Sequence, residues 1–503
     1  MSRVCLCLTG KTIARDLEIL EKYRKYVDIA ELRVDCLDDD EQFQIRRFPE
    51  LAGVPVILTN RRIIDGGRFS GGEGARIIIF SRALAFASAD RRKNFAYVDL
   101  EEDLNVPSLE EAARTFGTRI IRSYHNMHGV DKDIPGKLRG LRRIGDEIAK
   151  AALMPRSLAD VSEIYRAAKE TAGMDKILIA MGSFGMSTRV LAKYIGSWLT
   201  YTSIKDEADF PPAAEGQLDP KELTQLYRFK KITAKTKIFA VTGFPLQATA
   251  SPAFFNSVFN LENTDAVYIP VPADSIRSFL NLAEEIGIQG VSITVPYKEA
   301  VLPYLFSQSE KVGSIGACNT IIKDVRGWLG FNTDATGFSD SLLDFAGKKD
   351  LRWKKVTLIG AGGAARAVAA ELSRLKAKVL ILNRGAARAR DLAGLYDFDW
   401  GCFDNRGLQL MEKHTDIIIQ ATPVGMEPDI DADPLEMYHF SGKELVLDIV
   451  YKPEQTRFLK RAAAAGCRTR NGYDMLIRQA QYQYAHFMGR EFPLQLMSRI
   501  NTG

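Results

Sequence analysis

Three observations predict an α/β chain that opens with an eight-stranded (β/α)8 barrel and continues as open, doubly wound αβ layers. The first is a count. Up to about residue 228, β-branched runs alternate with helical patterns, and the runs are VCLCLTG, DIAELRVD, VPVILTN, FAYVDLE, TRIIRSYH, DEIAKAAL, KILIAMG and WLTYTS, the number a TIM barrel needs. The stretch Asp131 to Ile144 is rich in Gly and charge, and the pattern gives its helix no sharp bounds. The second observation is the basic, polar segment RFKKITAKTK, 228–237, which has the composition of a domain boundary. A fresh strand, IFAVTGFPL, follows it, with VYIPVP and GVSITVPY as later strands and a helix from Ser275 to Ile286 between them. The third is VTLIGAGGAARAVAAELSRL from Val356, which reads as strand, glycine turn and helix, the opening of a Rossmann-type unit. KVLILNR, DIIIQATP and ELVLDIVY supply its further strands, and alternation on this scale implies mostly parallel sheets. The bounds that follow are a barrel over 1–228, a linker over 229–236, a second α/β domain over 237–340 completed by a helix at about 474–490, and a Rossmann unit over 341–473.

A chain of 503 residues exceeds what one core supports, and 46% hydrophobic with 26% charged residues is ordinary globular composition. The net charge of +5 is not gathered into Lys/Arg runs, which argues against nucleic acid and leaves anionic small molecules as partners. Six cysteines, at 5, 7, 36, 318, 402 and 467, show neither Cys-x-x-Cys nor zinc-finger spacing, so reduced thiols and no metal site are expected. The apolar run at the amino end is too short for a secretory segment and no apolar run reaches about 18 residues, so the expectation is a cytoplasmic protein without a membrane partner. Oligomeric state is not legible in the sequence.

Barrel chemistry gathers at the carboxyl ends of the strands. The polar residues late in the strand patterns are Glu31, Arg33, Arg61, His125 and Lys150, with Arg189 on the loop after the seventh strand. Lys150 stands in DEIAKAAL between two alanines and shares a face with Ile148 and Ala152. Desolvation favours its neutral amine, the form that attacks a carbonyl to make an imine. Taken alone, Lys150 could equally snorkel outward or pair with Glu31. His125 ends the preceding strand, within reach of a carbon next to such an imine. Three arginines at the same mouth imply a carboxylate substrate.

The runs AELRVD, TNRRIIDGG, SYHNMH, EIAKAALMP and MGSFGMSTR and the late EGQ together resemble type I 3-dehydroquinate dehydratase over roughly residues 1 to 228. The resemblance implies a Schiff base on Lys150 and proton transfer by His125, with Glu31, Arg33, Arg61, Arg189 and Gln217 holding the carboxylate and hydroxyls. Two departures stand out: Asp65, where that family usually has a Glu that orients the histidine, and Ala213, where its lid loop commonly has Ser.

In the last third, the glycines of GAGGAA let the backbone approach a pyrophosphate at a helix amino end. Where an acidic residue would bind the ribose hydroxyls of NAD, the chain has Asn383 and Arg384, with Arg388 beyond, which predicts NADP because guanidinium pairs with a 2′-phosphate.

VTGFPLQATASP, VSITVPYKE, GACNT, GFNTDATG, QATPVGM, LVLDIVYKPEQT and NGYDMLIRQA resemble shikimate dehydrogenase over about residues 237 to 490. By that resemblance Lys298 and Asp334 flank the reacting hydroxyl, Asn319 and Gln479 hold ring hydroxyls, Thr249 and Ser251 bind the carboxylate side, and Tyr451 assists. Gly360, Gly362, Gly363, Ala364, Thr422, Met426 and Gly472 would lie against the cofactor. The family's usual His-Ser is Ala248-Thr249 here, which leaves shikimate or quinate preference open. The function implied is bifunctional: 3-dehydroquinate is dehydrated, and the 3-dehydroshikimate formed is reduced to shikimate with NADPH. The rivals are a quinate-preferring dehydrogenase fused to the dehydratase, and an inactive metabolite sensor. The presence of both lysine pairs argues against the sensor.

Overall fold

The computed structural model describes residues 2–85, 88–205, 207–246 and 249–500. They form two compact units, one reaching to Ile288 and joined by Ile500, the other from Gln289 to Arg499. The division falls inside the stretch 237–340.

The first unit begins with eight parallel strands: β1 (Arg3–Leu8), β2 (Ile29–Arg33), β3 (Val56–Thr59), β4 (Tyr97–Glu101), β5 (Arg119–Asn126), β6 (Ile148–Leu153), β7 (Lys176–Ala180) and β8 (Leu199–Thr202). Their order is β7-β6-β5-β4-β3-β2-β1-β8. The ring is completed where Lys176 bridges Ser197 and the Trp198 N–H donates to the Lys176 carbonyl at 2.6 Å. Each strand read from the sequence is present. The ambiguous stretch after Tyr124 holds a short helix, Ile134–Leu141, started by Asp133 accepting from the Gly136 N–H and by a proline in the first turn.

Every second side chain of a barrel strand faces the axis. The first inward positions are apolar, and Ile29, Ile57, Ile121, Ile148, Ile177 and Leu199 share one buried cluster with Cys5. The next inward positions carry charge and hydroxyls: Glu31 and Arg33, Thr59 and Arg61, Asp99 and Glu101, Ser123 and His125, and Lys150. A dry floor therefore lies beneath a polar layer at the carboxyl ends.

After the barrel, β9 (Lys237–Thr242) and β10 (Ala266–Pro270) run parallel. The expected helix follows as Ile276–Ile286; Ser275 caps it by accepting from the Ser278 N–H at 3.1 Å, and Gly287 stops it at φ 73°. This helix packs on the barrel helix Leu158–Glu170. Asp274 accepts the Leu158 N–H at 2.8 Å, and Lys169 meets Glu285 at 2.5 Å. These contacts attach β9 and β10 to the barrel.

From Gln289 on, the second unit holds the rest of β11 (Ile288–Ile293), then β12 (Leu305–Gln308), β13 (Thr320–Asp324) and β14 (Gly327–Phe331). The expectation of mostly parallel sheets fails here: β13 is antiparallel to both β11 and β14, and β12 alone runs parallel to β14. A two-residue turn makes β13 and β14 a hairpin, which needs no crossover helix. Six further strands, β15 (Lys355–Ile359), β16 (Lys378–Leu382), β17 (Asp399–Gly401), β18 (Ile417–Gln420), β19 (Leu445–Asp448) and β20 (Arg468–Arg470), form a parallel sheet ordered β17-β16-β15-β18-β19-β20. This is the doubly wound order the glycine turn predicts. β17 and β20 have three residues each and are too short to show a pattern in the sequence.

The long helix Tyr473–Met488 lies against the helix Thr333–Ala346. The approach is close enough that a Cβ on Gly337 would stand 2.7 Å from the Gln479 nitrogen.

Candidate active sites

A cavity of about 310 Å³ opens at the carboxyl ends of the barrel strands. Glu31, Arg33, Arg61, His125, Lys150, Arg189 and Gln217 all line it, so every barrel residue singled out from the sequence converges on one space. Lys150 points inward and is 5% exposed. Its partner is not Glu31 but Asp99, whose Oδ2 lies 2.7 Å from Nζ. Asp99 also meets Arg61 at 2.8 Å and accepts from the Ser123 hydroxyl at 2.5 Å. Burial alone would raise the Asp99 pKa, but Arg61 and Lys150 outweigh it and hold the carboxylate well below its ordinary value.

Asp99 joins the residues the sequence singles out; FAYVDLE places it two residues before Glu101 on the inward face of β4. Glu31 is held elsewhere, accepting from the Thr59 hydroxyl at 2.9 Å and from the Cys7 thiol at 3.1 Å. Two of the three arginines reach the cavity already neutralised: Arg33 pairs with Asp35 at 2.7 Å, and Arg61 pairs with Glu101 at 2.6 Å as well as with Asp99. Arg189 has no carboxylate partner among the described residues; its one bond goes to the Glu215 carbonyl at 3.3 Å. Burial lowers its pKa to about 10.

His125 sits above Lys150, since Ser123 is the residue registered with Lys150 and His125 is two further along β5. Burial, then the Arg61 and Lys150 charges, pushes its pKa well below the ordinary value and keeps the ring a neutral base. Its Nδ1 is buried without a hydrogen-bond partner among the described residues. Asp65, also at the cavity edge, gives its carboxylate to Arg62 at 2.6 Å and does not orient the histidine. Ala213 lines the same cavity and offers it a methyl group only.

In the second unit Lys298 Nζ lies 2.6 Å from Asp334 Oδ2. Asn319 donates to Asp334 Oδ1 at 2.8 Å, and its own carbonyl oxygen accepts the Thr333 N–H at 2.8 Å. Thr333 donates to Gln479 Oε1 at 3.4 Å, so the close helix contact at Gly337 delivers Gln479 to the same cluster. A Cβ on Gly363 would stand 3.6 Å from Lys298 Cδ, which sets the lysine beside the glycine turn.

That turn follows β15, and Thr422 follows β18, its central neighbour. The order reverses between these two strands, the place where open α/β sheets bind ligands. Gly360 has φ 113° and lies so near Thr422 that a Cβ would meet its methyl at 2.9 Å, whereas a Cβ on Gly362 would point into open space. Gly362 and Gly363 begin the helix Gly363–Arg374, with Ala364 in its first turn. Gly472 lacks room for any side chain, as a Cβ would be 2.0 Å from the Ile449 carbonyl. Arg384 and Arg388 are exposed and make no ion pair among the described residues, while Asn383 donates to the Gly385 carbonyl at 3.0 Å. Met426 is exposed. Tyr451 is half-buried on the loop after β19.

Thr249 and Ser251 lie in the first unit, at the start of the helix Ser251–Leu261, where the Ser251 N–H donates to Thr249 Oγ1 at 3.3 Å. Ala248 lies outside the described residues. Among the described residues no cluster suited to a metal ion is present, all six cysteines are free, and no helix is long and apolar enough to cross a membrane.

The family model for type I 3-dehydroquinase matches residues 4–234. The shikimate dehydrogenase substrate binding domain matches 241–321, and shikimate / quinate 5-dehydrogenase matches 344–451. A solved shikimate dehydrogenase from Aquifex aeolicus aligns at 29% identity and a TM-score of 0.49, over 53% of this chain and 98% of its own. A chloroplastic bifunctional 3-dehydroquinate dehydratase/shikimate dehydrogenase of Arabidopsis thaliana is 28% identical over 96% of this chain and 81% of its own length. A shikimate dehydrogenase (NADP(+)) of Caldanaerobacter subterraneus is 35% identical over 52% of this chain and 95% of its own. The chain belongs to the shikimate dehydrogenase family, carries a type I 3-dehydroquinase unit ahead of it, and is a bifunctional enzyme of the shikimate pathway.

Proposed function

We propose that Lys150 is the Schiff-base lysine of the dehydratase and His125 its proton carrier, and that Lys298 and Asp334 are the proton-transfer pair of the dehydrogenase. The observation that carries the first half is the shared cavity, where His125 Nδ1, Arg189 Nε and Gln217 Oε1 are buried without partners among the described residues, beside Lys150. Buried polar atoms are as a rule hydrogen-bonded, and a polar ligand in this cavity would supply the missing partners.

The Lys150 nitrogen adds to the ketone carbon of 3-dehydroquinate, and loss of water leaves an iminium. His125 takes a proton from the adjacent carbon, and the electron pair of that C–H bond moves into the iminium to give an enamine. The pair then returns to expel the β-hydroxyl, which leaves as water with the proton from His125. Hydrolysis of the new imine frees 3-dehydroshikimate and Lys150. Asp99 stays beside the nitrogen throughout and balances its charge as ammonium or iminium. Arg189 is the cation left to bind the substrate carboxylate, because Arg33 and Arg61 are occupied.

In the second half the residues fit NADP: an open approach at Gly362, a helix amino end, and two arginines at the end of β16 without acid partners among the described residues. When bound, it supplies the hydride. Lys298 and Asp334 hold and deliver the proton at the substrate oxygen, and Asn319 and Gln479 orient the ring hydroxyls. The partners are 3-dehydroquinate, 3-dehydroshikimate and shikimate, and the compartment is the cytoplasm, in keeping with six unpaired thiols.

Supplying 3-dehydroquinate together with NADPH tests both halves at once, because NADPH is consumed only if each works. Borohydride should fix substrate on Lys150. A Lys150→Ala protein that still dehydrates 3-dehydroquinate would refute the first assignment, and a Lys298→Ala protein with full reductase activity would refute the second.

A further inference from the structure

A fourth residue lining the barrel cavity carries a buried atom with no hydrogen-bond partner among the described residues, the hydroxyl of Tyr201. His125, Arg189 and Gln217 already have roles toward the substrate; Tyr201 has none. It stands on β8, registered with Cys5 of β1, and is 4% exposed. A hydroxyl buried without a partner has lost its hydration and gained no bond in return, so its retention calls for a partner brought from outside the fold.

The ring of the same residue faces the reacting nitrogen, with Lys150 Nζ 4.6 Å from its centroid. An aromatic face attracts a cation by its quadrupole. That attraction serves ammonium and iminium alike, because both place the charge at one nitrogen. Burial, reinforced by Glu31 and Asp99, raises the phenol pKa well above its ordinary value, so the group stays an O–H donor across the working range.

We propose that Tyr201 is a further catalytic residue of the dehydratase, its hydroxyl donating to an oxygen of the polyhydroxylated cyclic carboxylate in the cavity and its ring facing the Lys150 nitrogen before and after imine formation. No bond forms or breaks at Tyr201. The ring's part in this rests on the Schiff-base reading of Lys150; the hydroxyl's part rests on the cavity alone.

The test uses the full chain carrying Tyr201→Phe, which keeps the ring, or Tyr201→Leu, which removes it. Tyr201→Phe should raise KM for 3-dehydroquinate about three- to tenfold, the loss expected for one neutral hydrogen bond. It should leave NADPH-dependent reduction of 3-dehydroshikimate unchanged. The unfolding midpoint without substrate should stay level or rise, because an unpaired buried hydroxyl is lost. Tyr201→Leu should lower kcat in addition. Unchanged KM in the Phe protein overturns the hydroxyl's role, and so does a fall in its midpoint, which would reveal a structural bond. Borohydride trapping on the unsubstituted chain separates the two readings. If no adduct forms on Lys150, the Schiff-base assignment and the ring's role fall together, and the KM of the Phe protein still decides the hydroxyl.

Discussion

Lys150 and Asp99 face each other across the barrel interior with Nζ 2.7 Å from Oδ2, and the same carboxylate lies 2.8 Å from Arg61. Lys150 is on β6 and Asp99 on β4, so the lysine's counterion comes from two strands away and passes over Ser123 of the strand between, itself bonded to Asp99. A lysine at the centre of a barrel is tolerable because this acid, fully buried, balances it.

Asp99→Asn should therefore be far more disruptive than its size suggests. It leaves two buried cations sharing one carboxylate fewer, a loss of about 3–5 kcal/mol for a broken buried pair, and dehydratase kcat should fall by at least tenfold. Because the folded pKa of Asp99 is depressed, its stabilisation is present above the unfolded value near 4 and is lost as pH falls below it. Acid denaturation curves of the two proteins should converge at low pH; a gap that stays constant with pH would exclude this origin.

Asp65 does not hold His125, so Asp65→Ala should change dehydratase kcat less than about tenfold, below the usual contribution of a working acid–base group. Steady-state assay at neutral pH decides it, and a loss of a hundredfold would show that the aspartate does reach the ring during turnover.

The low pKa of His125, caused first by burial and then by Arg61 and Lys150, keeps the base unprotonated. Dehydratase kcat should stay level between about pH 8 and 6, across the ordinary histidine value. Stability carries the same sign: a depressed histidine pKa favours the folded state above the unfolded value and loses that favour as pH falls. A kcat that halves near pH 6.5 would contradict the assignment.

Arg384 and Arg388 have no acid partners among the described residues, so replacing both with Ala should weaken NADPH while sparing NADH. Each charged hydrogen bond contributes about 1.5–3 kcal/mol, so KM for NADPH should rise at least tenfold. Comparing the two cofactors in the reductase assay reads this directly, and an equal loss for both would place the arginines elsewhere.

Burial lifts Asp448 to about 7, even though it accepts from the Val450 N–H at 2.9 Å and from the Thr456 hydroxyl at 2.7 Å. A raised folded pKa favours the folded state at low pH, and this advantage is lost as pH rises through about 7. Asp448→Asn should accordingly gain in unfolding midpoint at pH 8 relative to pH 5, compared with the unsubstituted chain. A pH-independent difference between them would count against it.

Much of this protein is legible in its sequence, because two periodicities are written along the chain. Period two in IAELR, VILTNR, RIIRSYH and IAKAAL sets an apolar floor and a polar mouth, and it puts Glu31, Arg33, Arg61, His125 and Lys150 on one cavity. The same count applied to FAYVDLE and WLTYTS reaches Asp99 and Tyr201, so the inward placement of those two is written in the sequence as well. The strand, glycine turn and helix at Gly360 to Ala365 likewise needed only local geometry.

Tertiary structure alone decided how charges pair. Asp99 rather than Glu31 meets Lys150, Arg33 and Arg61 are neutralised while Arg189 is not, and Asp65 turns to Arg62. It also decided that β13 and β14 fold back as a hairpin, and that Gln479 arrives beside Thr333 through a helix contact at Gly337. The physical reason is range. Strand faces and glycine turns follow from neighbours a few residues apart, whereas an ion pair depends on distances between segments far apart in the chain, and those exist only once the strands have closed into a ring.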